Sequence, residues 1–218
     1  MKPTTVPFFA TPIYKTLAGY SNRIDALKAY LLAQKADNKG FENHESPQKS
    51  PDSLYESHFN LFDDRAPEIA SLKELLLQHL MRYLTEVNEF TPEDLQKVSF
   101  VNESWAHITE KGGYFQSHSH PMASVSMVYC VSPGDDPNTL EDTQSGAFVM
   151  HDPRHNASMY LDPANNNMRR AFSFNGGRFK FIEDELIIFP SYLHHHVEPY
   201  LGESPRITIA ANFSFTEK

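Results

Sequence analysis

The chain has 218 residues, 40% of them hydrophobic and 12% aromatic, which is enough to bury one substantial core and reads as a single domain over 1–218. Its formal net charge of −9 and the absence of any basic run oppose nonspecific attachment to nucleic acid or anionic lipid, because both depend on summed positive charge. A lone cysteine, Cys130, excludes an intrachain disulfide framework; the opening residues lack the apolar run of a signal peptide, and no stretch of about twenty apolar residues could span a bilayer, so a soluble cytoplasmic protein is expected.

In chain order, the first twenty residues alternate loosely between apolar and polar around Phe8, Phe9, Pro12 and Ile13, which predicts an edge strand, since proline cannot donate to a central ladder. From Asn22 the period changes to helical: Ile24, Leu27, Leu31 and Leu32 predict a helix to about Gln34. Residues 36–57 are polar and broken by Gly40, Pro47 and Pro51, and read as one long surface loop. A second helix opens at Pro67 with the stripe Ile69, Leu72, Leu75, Leu76, Leu80, Tyr83, Leu84 and Val87. A short third helix follows, with Thr91 as N-cap, Pro92 at the first helical position and Asp94 reaching back to the cap.

After Lys97 the helical period vanishes. Runs rich in β-branched and aromatic residues predict strands over roughly 98–109, 124–131, 145–151, 178–188 and 206–215, separated by turn-forming stretches such as Pro133-Gly134-Asp135-Asp136 and Asn175-Gly176-Gly177. Helices first and strands second, without alternation, predict an α+β, mainly β fold: residues 1–97 supply an edge strand and supporting helices, and 98–218 form an antiparallel sandwich or jelly roll with those helices packed on one sheet.

The chemistry concentrates in two histidine clusters. On an extended strand the side chains at i and i+2 share a face, so His118 and His120, in Gly112-Gly113-Tyr114-Phe115-Gln116-Ser117-His118-Ser119-His120-Pro121, can offer two imidazoles to one metal. A third imidazole from a distant strand would complete three ligands and leave positions open for catalysis. The second cluster, His194-His195-His196, follows the apolar run Leu186-Ile187-Ile188-Phe189; periodicity allows either His195 or the pair His194 and His196 to point inward. Arg206 opens the last strand, where an inward guanidinium could grip a carboxylate bidentately. Trp105, Tyr114, Phe115 and Tyr129 read as core or pocket wall, His79 as a satisfied residue between packed elements, and Asn165-Asn166-Asn167 with Arg169 and Arg170 as a loop near the jelly-roll mouth. Glu141 and Asp142 are most simply solvated loop charges.

Taken in order, these motifs resemble the 2-oxoglutarate/Fe(II) oxygenase superfamily, and more closely a bacterial and phage branch of it. The resemblance rests on the glycine turn before His118, the Ser145-Gly146 strand, Asp152-Pro153-Arg154, Phe189-Pro190-Ser191-x-Leu193-x-His195-x-Val197, Arg206-x-Thr208 and the terminal Asn212-Phe213, within about residues 102–213. It implies a double-stranded β-helix, Fe(II) and 2-oxoglutarate as cofactors, His118, His120 and His195 as metal ligands, and Arg206 with Thr208 around the far carboxylate of 2-oxoglutarate. The implied activity is hydroxylation of a small-molecule or peptide substrate. His120 stands where the family usually carries a carboxylate, Thr109 where many relatives carry a tyrosine, and Asp184 where many carry glycine. Because three-histidine iron sites such as those of thiol dioxygenases work without 2-oxoglutarate, and zinc hydrolases or hydro-lyases also use three histidines, these remain alternatives, as does a non-catalytic ligand-binding jelly roll.

Overall fold

A computed structural model describes residues 4–37, 53–136, 144–154, 162–169, 172–173 and 176–218. Its helices are α1 (Ile24–Ala36), α2 (Pro67–Asn88), α3 (Pro92–Gln96) and α4 (Pro163–Asn166). Its strands are β1 (Tyr14–Leu17), β2 (Leu54–Glu56), β3 (Val98–Thr109), β4 (Phe115–His118), β5 (Val125–Ser132), β6 (Phe148–Met150), β7 (Gly177–Phe179), β8 (Glu185–Pro190), β9 (His195–Val197) and β10 (Arg206–Glu217). They form a larger sheet of order β1-β8-β5-β10-β3-β2 and a smaller one of order β4-β9-β6-β7, with antiparallel strand pairs throughout the described residues. This is the double-stranded β-helix, and both edges of its larger sheet come from the N-terminal region.

The larger sheet is buried on both faces, which is why β5 and β8 read as nearly continuous apolar runs. One face carries Met127, Tyr129, Leu186, Ile188, Ile207, Ile209, Ala211 and Phe213 into a core shared with Leu27 and Leu31 of α1 and Ile69, Leu72, Leu76, Leu80 and Leu84 of α2. Each such side chain contributes about 1.5–3 kcal/mol through removal from water. The other face carries Cys130, Ile187 and Phe189 against Phe148, Met150, Phe179 and Phe181. Among the described residues no helix is long and apolar enough to cross a membrane.

Both long helices follow their apolar stripes, although Val87, at the end of the second, is exposed. The capping box at Thr91 and Asp94 is formed with both reciprocal hydrogen bonds. His79 is satisfied between Tyr14 Oη at 2.8 Å and the Ala18 carbonyl at 3.1 Å.

Several boundaries differ from the sequence reading. The first strand lies beyond Pro12, at Tyr14–Leu17, because it needs consecutive N–H groups to pair with β8, and Phe8 and Phe9 are exposed before it. Within 36–57, Leu54–Glu56 is a strand paired to the end of β3; residues 38–52 lie outside the described residues. The run 178–188 is two strands in different sheets, broken at Asp184. The short strands β4 and β9 fall outside the predicted apolar and β-branched runs, their residues being too polar to show a two-residue hydrophobic period, although both histidine clusters read as extended chain.

Asp184 adopts φ 68°, a left-handed conformation that aspartate tolerates better than most residues. Its buried carboxylate accepts from the backbone N–H of Gly19 (3.0 Å) and Tyr20 (3.0 Å) and from the Tyr129 hydroxyl (3.0 Å), tying the start of β8 to the chain after β1. Burial, reinforced by this carboxylate, pushes the Tyr129 hydroxyl far above its ordinary value, so it remains a proton donor. Asp184→Ala should lower unfolding free energy by about 3 kcal/mol or more, since it strands these donors, whereas Asp184→Asn should retain most of the stability. Urea denaturation checks this, and a loss under about 1 kcal/mol for Asp184→Ala would refute the role assigned to the carboxylate.

Candidate active site

The smaller sheet brings the histidines together. His118, the last residue of β4, is the direct register partner of His195, the first residue of β9, so the two imidazoles stand side by side. His120 lies past the end of β4 rather than on the same strand, which corrects the i, i+2 strand reading. It sits in a turn pinned by its own N–H to the Ser191 carbonyl (3.0 Å) and by Ala123 N–H to its carbonyl (3.1 Å). The turn still delivers the ring to the same point. Centroids are 4.4 Å apart for His118 and His195, 5.1 Å for His118 and His120, and 5.2 Å for His120 and His195, with one ligating atom of each within 4.8 Å of the others.

Two rings are held in a metal-binding tautomer. His118 Nδ1 is 2.8 Å from the Gln116 carbonyl, and His195 Nδ1 is 2.8 Å from the Leu193 carbonyl. A carbonyl can only accept, so each Nδ1 carries the proton and each Nε2 keeps a bare lone pair. Burial, assisted by the neighbouring imidazoles, lowers His195 to about 3 and His120 to about 4, while burial is also the main cause that depresses His118. All three are therefore neutral at physiological pH, the state a metal needs.

The structure decides which member of the second cluster points inward. After Pro190 the chain turns, with Leu193 N–H bonded to the Pro190 carbonyl, and this turn resets the strand phase. His195 is buried, His194 is exposed, and His196 turns outward, with its Nδ1 2.9 Å from His151 Nε2 and its Nε2 3.3 Å from Glu198.

Beneath the histidines lies the inner face of the larger sheet, where cross-strand pairs form successive rows: Thr109 with Arg206, His107 with Thr208 and Cys130, Trp105 with Ala210 and Val128, and Glu103 with Asn212 and Ser126. Arg206 is 4% exposed, and its guanidinium carbon lies 5.6 Å over the Phe181 ring. No hydrogen bond or ion pair from a carboxylate reaches it among the described residues. Burial disfavours its charge, lowering it from the ordinary arginine value. Its neighbour Cys130 offers no compensation, because burial raises that thiol to about 12 and keeps it neutral. Gly146, at φ +62°, makes room for the arginine: a Cβ there would sit 3.2 Å from Arg206 Cδ. A buried, unneutralised guanidinium at the end of a pocket is suited to an incoming carboxylate.

Thr208 is buried and lines the same pocket, as do His107 and Trp105. Thr109 is buried beside Gly113 and is not among the lining residues. His107 was not singled out from sequence, although the alternation Trp105, His107, Thr109 already places it on one face with both. Its Nε2 receives the Trp105 indole N–H at 2.7 Å and lies 2.9 Å from Glu56. Ser126 was missed too. Its hydroxyl lies 2.8 Å from the Ser191 hydroxyl and donates to Asn212 Oδ1 at 2.7 Å, which links two of the recognised motifs and fixes the Asn212 amide.

Asp152 and Arg154, which line a separate cavity, form a bidentate pair at 2.9 and 2.6 Å, and Arg169 stacks on Phe172. Arg170, Glu141 and Asp142 lie outside the described residues.

Comparison with known proteins agrees with this geometry. Solved structures similar in fold include a prolyl-4-hydroxylase from Pseudomonas putida (12% identity, TM-score 0.61, covering 93% of this chain and 92% of that one). They also include HygX from Streptomyces hygroscopicus with nickel and 2-oxoglutarate bound (12%, 0.59, 94% and 83%) and AviO1 from Streptomyces viridochromogenes Tue57 (17%, 0.58, 95% and 91%). No sequence match is found among curated proteins. At these identities the structures establish the double-stranded β-helix alone. The family model described as "Putative 2OG-Fe(II) oxygenase" matches residues 103–212, just over half of the chain, a span that contains the three histidines, Arg206 and Thr208. The chain therefore belongs to the 2-oxoglutarate/Fe(II) oxygenases, a family of oxidoreductases with iron and 2-oxoglutarate as cofactors.

Proposed function

We propose that this protein is a 2-oxoglutarate-dependent dioxygenase that hydroxylates a C–H bond of a small-molecule or peptide substrate. The observation that carries the reading is the buried guanidinium of Arg206, which no carboxylate of the described residues reaches, in the pocket that also holds the three convergent imidazoles. His118, His120 and His195 would hold Fe(II) through neutral nitrogens, and Arg206 with Thr208 would hold the far carboxylate of 2-oxoglutarate. Bound together, iron, the keto acid and dioxygen supply the oxidising power for hydroxylation, with release of succinate and carbon dioxide.

The residues themselves position, neutralise and exclude water. The carbonyls of Gln116 and Leu193 keep two ligand rings turned toward the centre. Three neutral ligands leave the divalent ion its full charge, which a dianionic keto acid would cancel, whereas a carboxylate ligand would already remove one unit. His120 thus strengthens the electrostatic demand for an anionic co-substrate. Phe148, Phe189 and Val197 wall the pocket and lower its dielectric, which strengthens the guanidinium–carboxylate contact.

The three-imidazole set by itself would equally suit a zinc-bound water or an iron site that takes no keto acid. Neither needs a buried arginine beside the metal. Adding 2-oxoglutarate to the Fe(II) protein without oxygen should produce a metal-to-ligand charge-transfer band in the visible. Fe(II) bound stoichiometrically without such a band would exclude the proposed co-substrate.

A further inference from the structure

We infer that the groove of about 560 Å3 beside His120 is the substrate site, and that it selects a substrate bearing a cationic nitrogen, which pairs with Glu103. This inference rests on the metal and co-substrate reading above, because it takes its direction from Arg206.

The rows on the inner face set that direction. Arg206 closes one end of the track, Trp105 and Ala210 lie midway, and Glu103 with Asn212 lie beyond them, followed by Val101 paired with Ser214. Trp105 packs against His120, with centroids 6.0 Å apart, so the metal-binding cluster stands over the middle of the track. A co-substrate reaching from the metal toward Arg206 occupies one half. The other half opens into the groove, and His120 and Asn212 line both spaces. Its volume falls in the range of small-molecule sites.

Its lining states the chemistry. Among the described residues Glu103 is the one formally charged side chain of the groove; it is exposed, and none of those residues forms an ion pair with it. Among the described residues no lysine or arginine lines the groove, so an anionic substrate would meet a carboxylate that none of them offsets. Asn212 Oδ1 is already taken by Ser126, which leaves the amide N–H groups to donate to a neutral acceptor on the substrate. Val101 and Met122, 70% and 89% exposed, form walls that can cover a carbon skeleton. The net charge of −9 acts in the same sense by drawing cations to the surface.

The test uses two probes of one shape and opposite charge, benzylammonium and benzoate, added to protein carrying 13C-methyl methionine. Benzylammonium should shift the Met122 methyl resonance and benzoate should not. Glu103→Gln should weaken the benzylammonium response roughly three- to fivefold, the size expected for an exposed ion pair. With Mn(II) bound, read independently from water-proton relaxation, the benzylammonium signals should also broaden. An equal response to benzoate, an unchanged response in Glu103→Gln, or no Met122 shift overturns the cation assignment. Absence of Mn(II) relaxation overturns the metal reading whatever the methyl group does. A Met122 shift without Mn(II) broadening of the probe removes the groove from the reaction centre.

Discussion

Arg206→Met should sharply weaken 2-oxoglutarate binding while leaving metal binding and folding intact. Arg206 contributes a buried charge whose burial is unfavourable until a carboxylate arrives, so exchanging it for an unbranched apolar side chain removes that penalty and keeps an alkyl stem beside Gly146, at the cost of the guanidinium contact with the Phe181 ring. The variant should melt at or above the temperature of the parent protein. Truncating one partner of a buried, hydrogen-bonded charge pair costs about 2–5 kcal/mol, which is roughly 30- to 5,000-fold in affinity. Titration of 2-oxoglutarate into the anaerobic Fe(II) protein, read by calorimetry or by the charge-transfer band, measures the loss. Unaltered affinity in a folded Arg206→Met protein would place the far carboxylate elsewhere. Thr208→Val, which removes one hydroxyl and keeps the volume, should weaken binding far less.

His195→Ala and His118→Ala should lose stoichiometric iron, whereas His194→Ala and His196→Ala should retain it. His195 is buried with its ring 4.4 Å from that of His118, and three imidazoles reduced to two leave an incomplete facial site. His196 instead turns toward His151 and Glu198, and His194 is exposed, so neither can reach the point where the three rings converge without breaking β9. Loss of an outer partner alters metal affinity by about 10- to 100-fold, and loss of a direct ligand should exceed that. Metal analysis after dialysis at fixed free iron distinguishes the two groups. Iron kept by His195→Ala and lost from His194→Ala would show that β9 runs in the opposite phase.

Much of the scaffold was legible because its signals are local. The stripe from Ile69 to Leu84 has one helical solution, Thr91 and Asp94 cap a helix by their own side chains, and β3 announces itself by β-branched and aromatic residues over Val98–Thr109. The site was legible as a set of residue types, since His118, His120, His195, Arg206 and Thr208 fell into a recognisable order, and these are the residues the structure draws into one pocket.

What the sequence determined by itself was therefore the chemistry: neutral nitrogen donors in two clusters, a cation at the head of the last strand, and an apolar frame sized for one core. Only the tertiary structure decided how they converge. Strands of three or four polar residues such as β4 and β9 have no hydrophobic period and exist because each is paired across the smaller sheet. His120 reaches the centre through a turn held by the Ser191 carbonyl, about seventy residues away in the chain, not through strand alternation. The turn after Pro190, whose hydrogen bond no side-chain pattern announces, chose His195 over its neighbours. His107 and Asn212 became pocket residues because strand register places them opposite Thr208 and Glu103. Local periodicity sets which face a side chain takes, but the facing partner comes from pairings distant in sequence, and those are stabilised only once the whole sandwich closes.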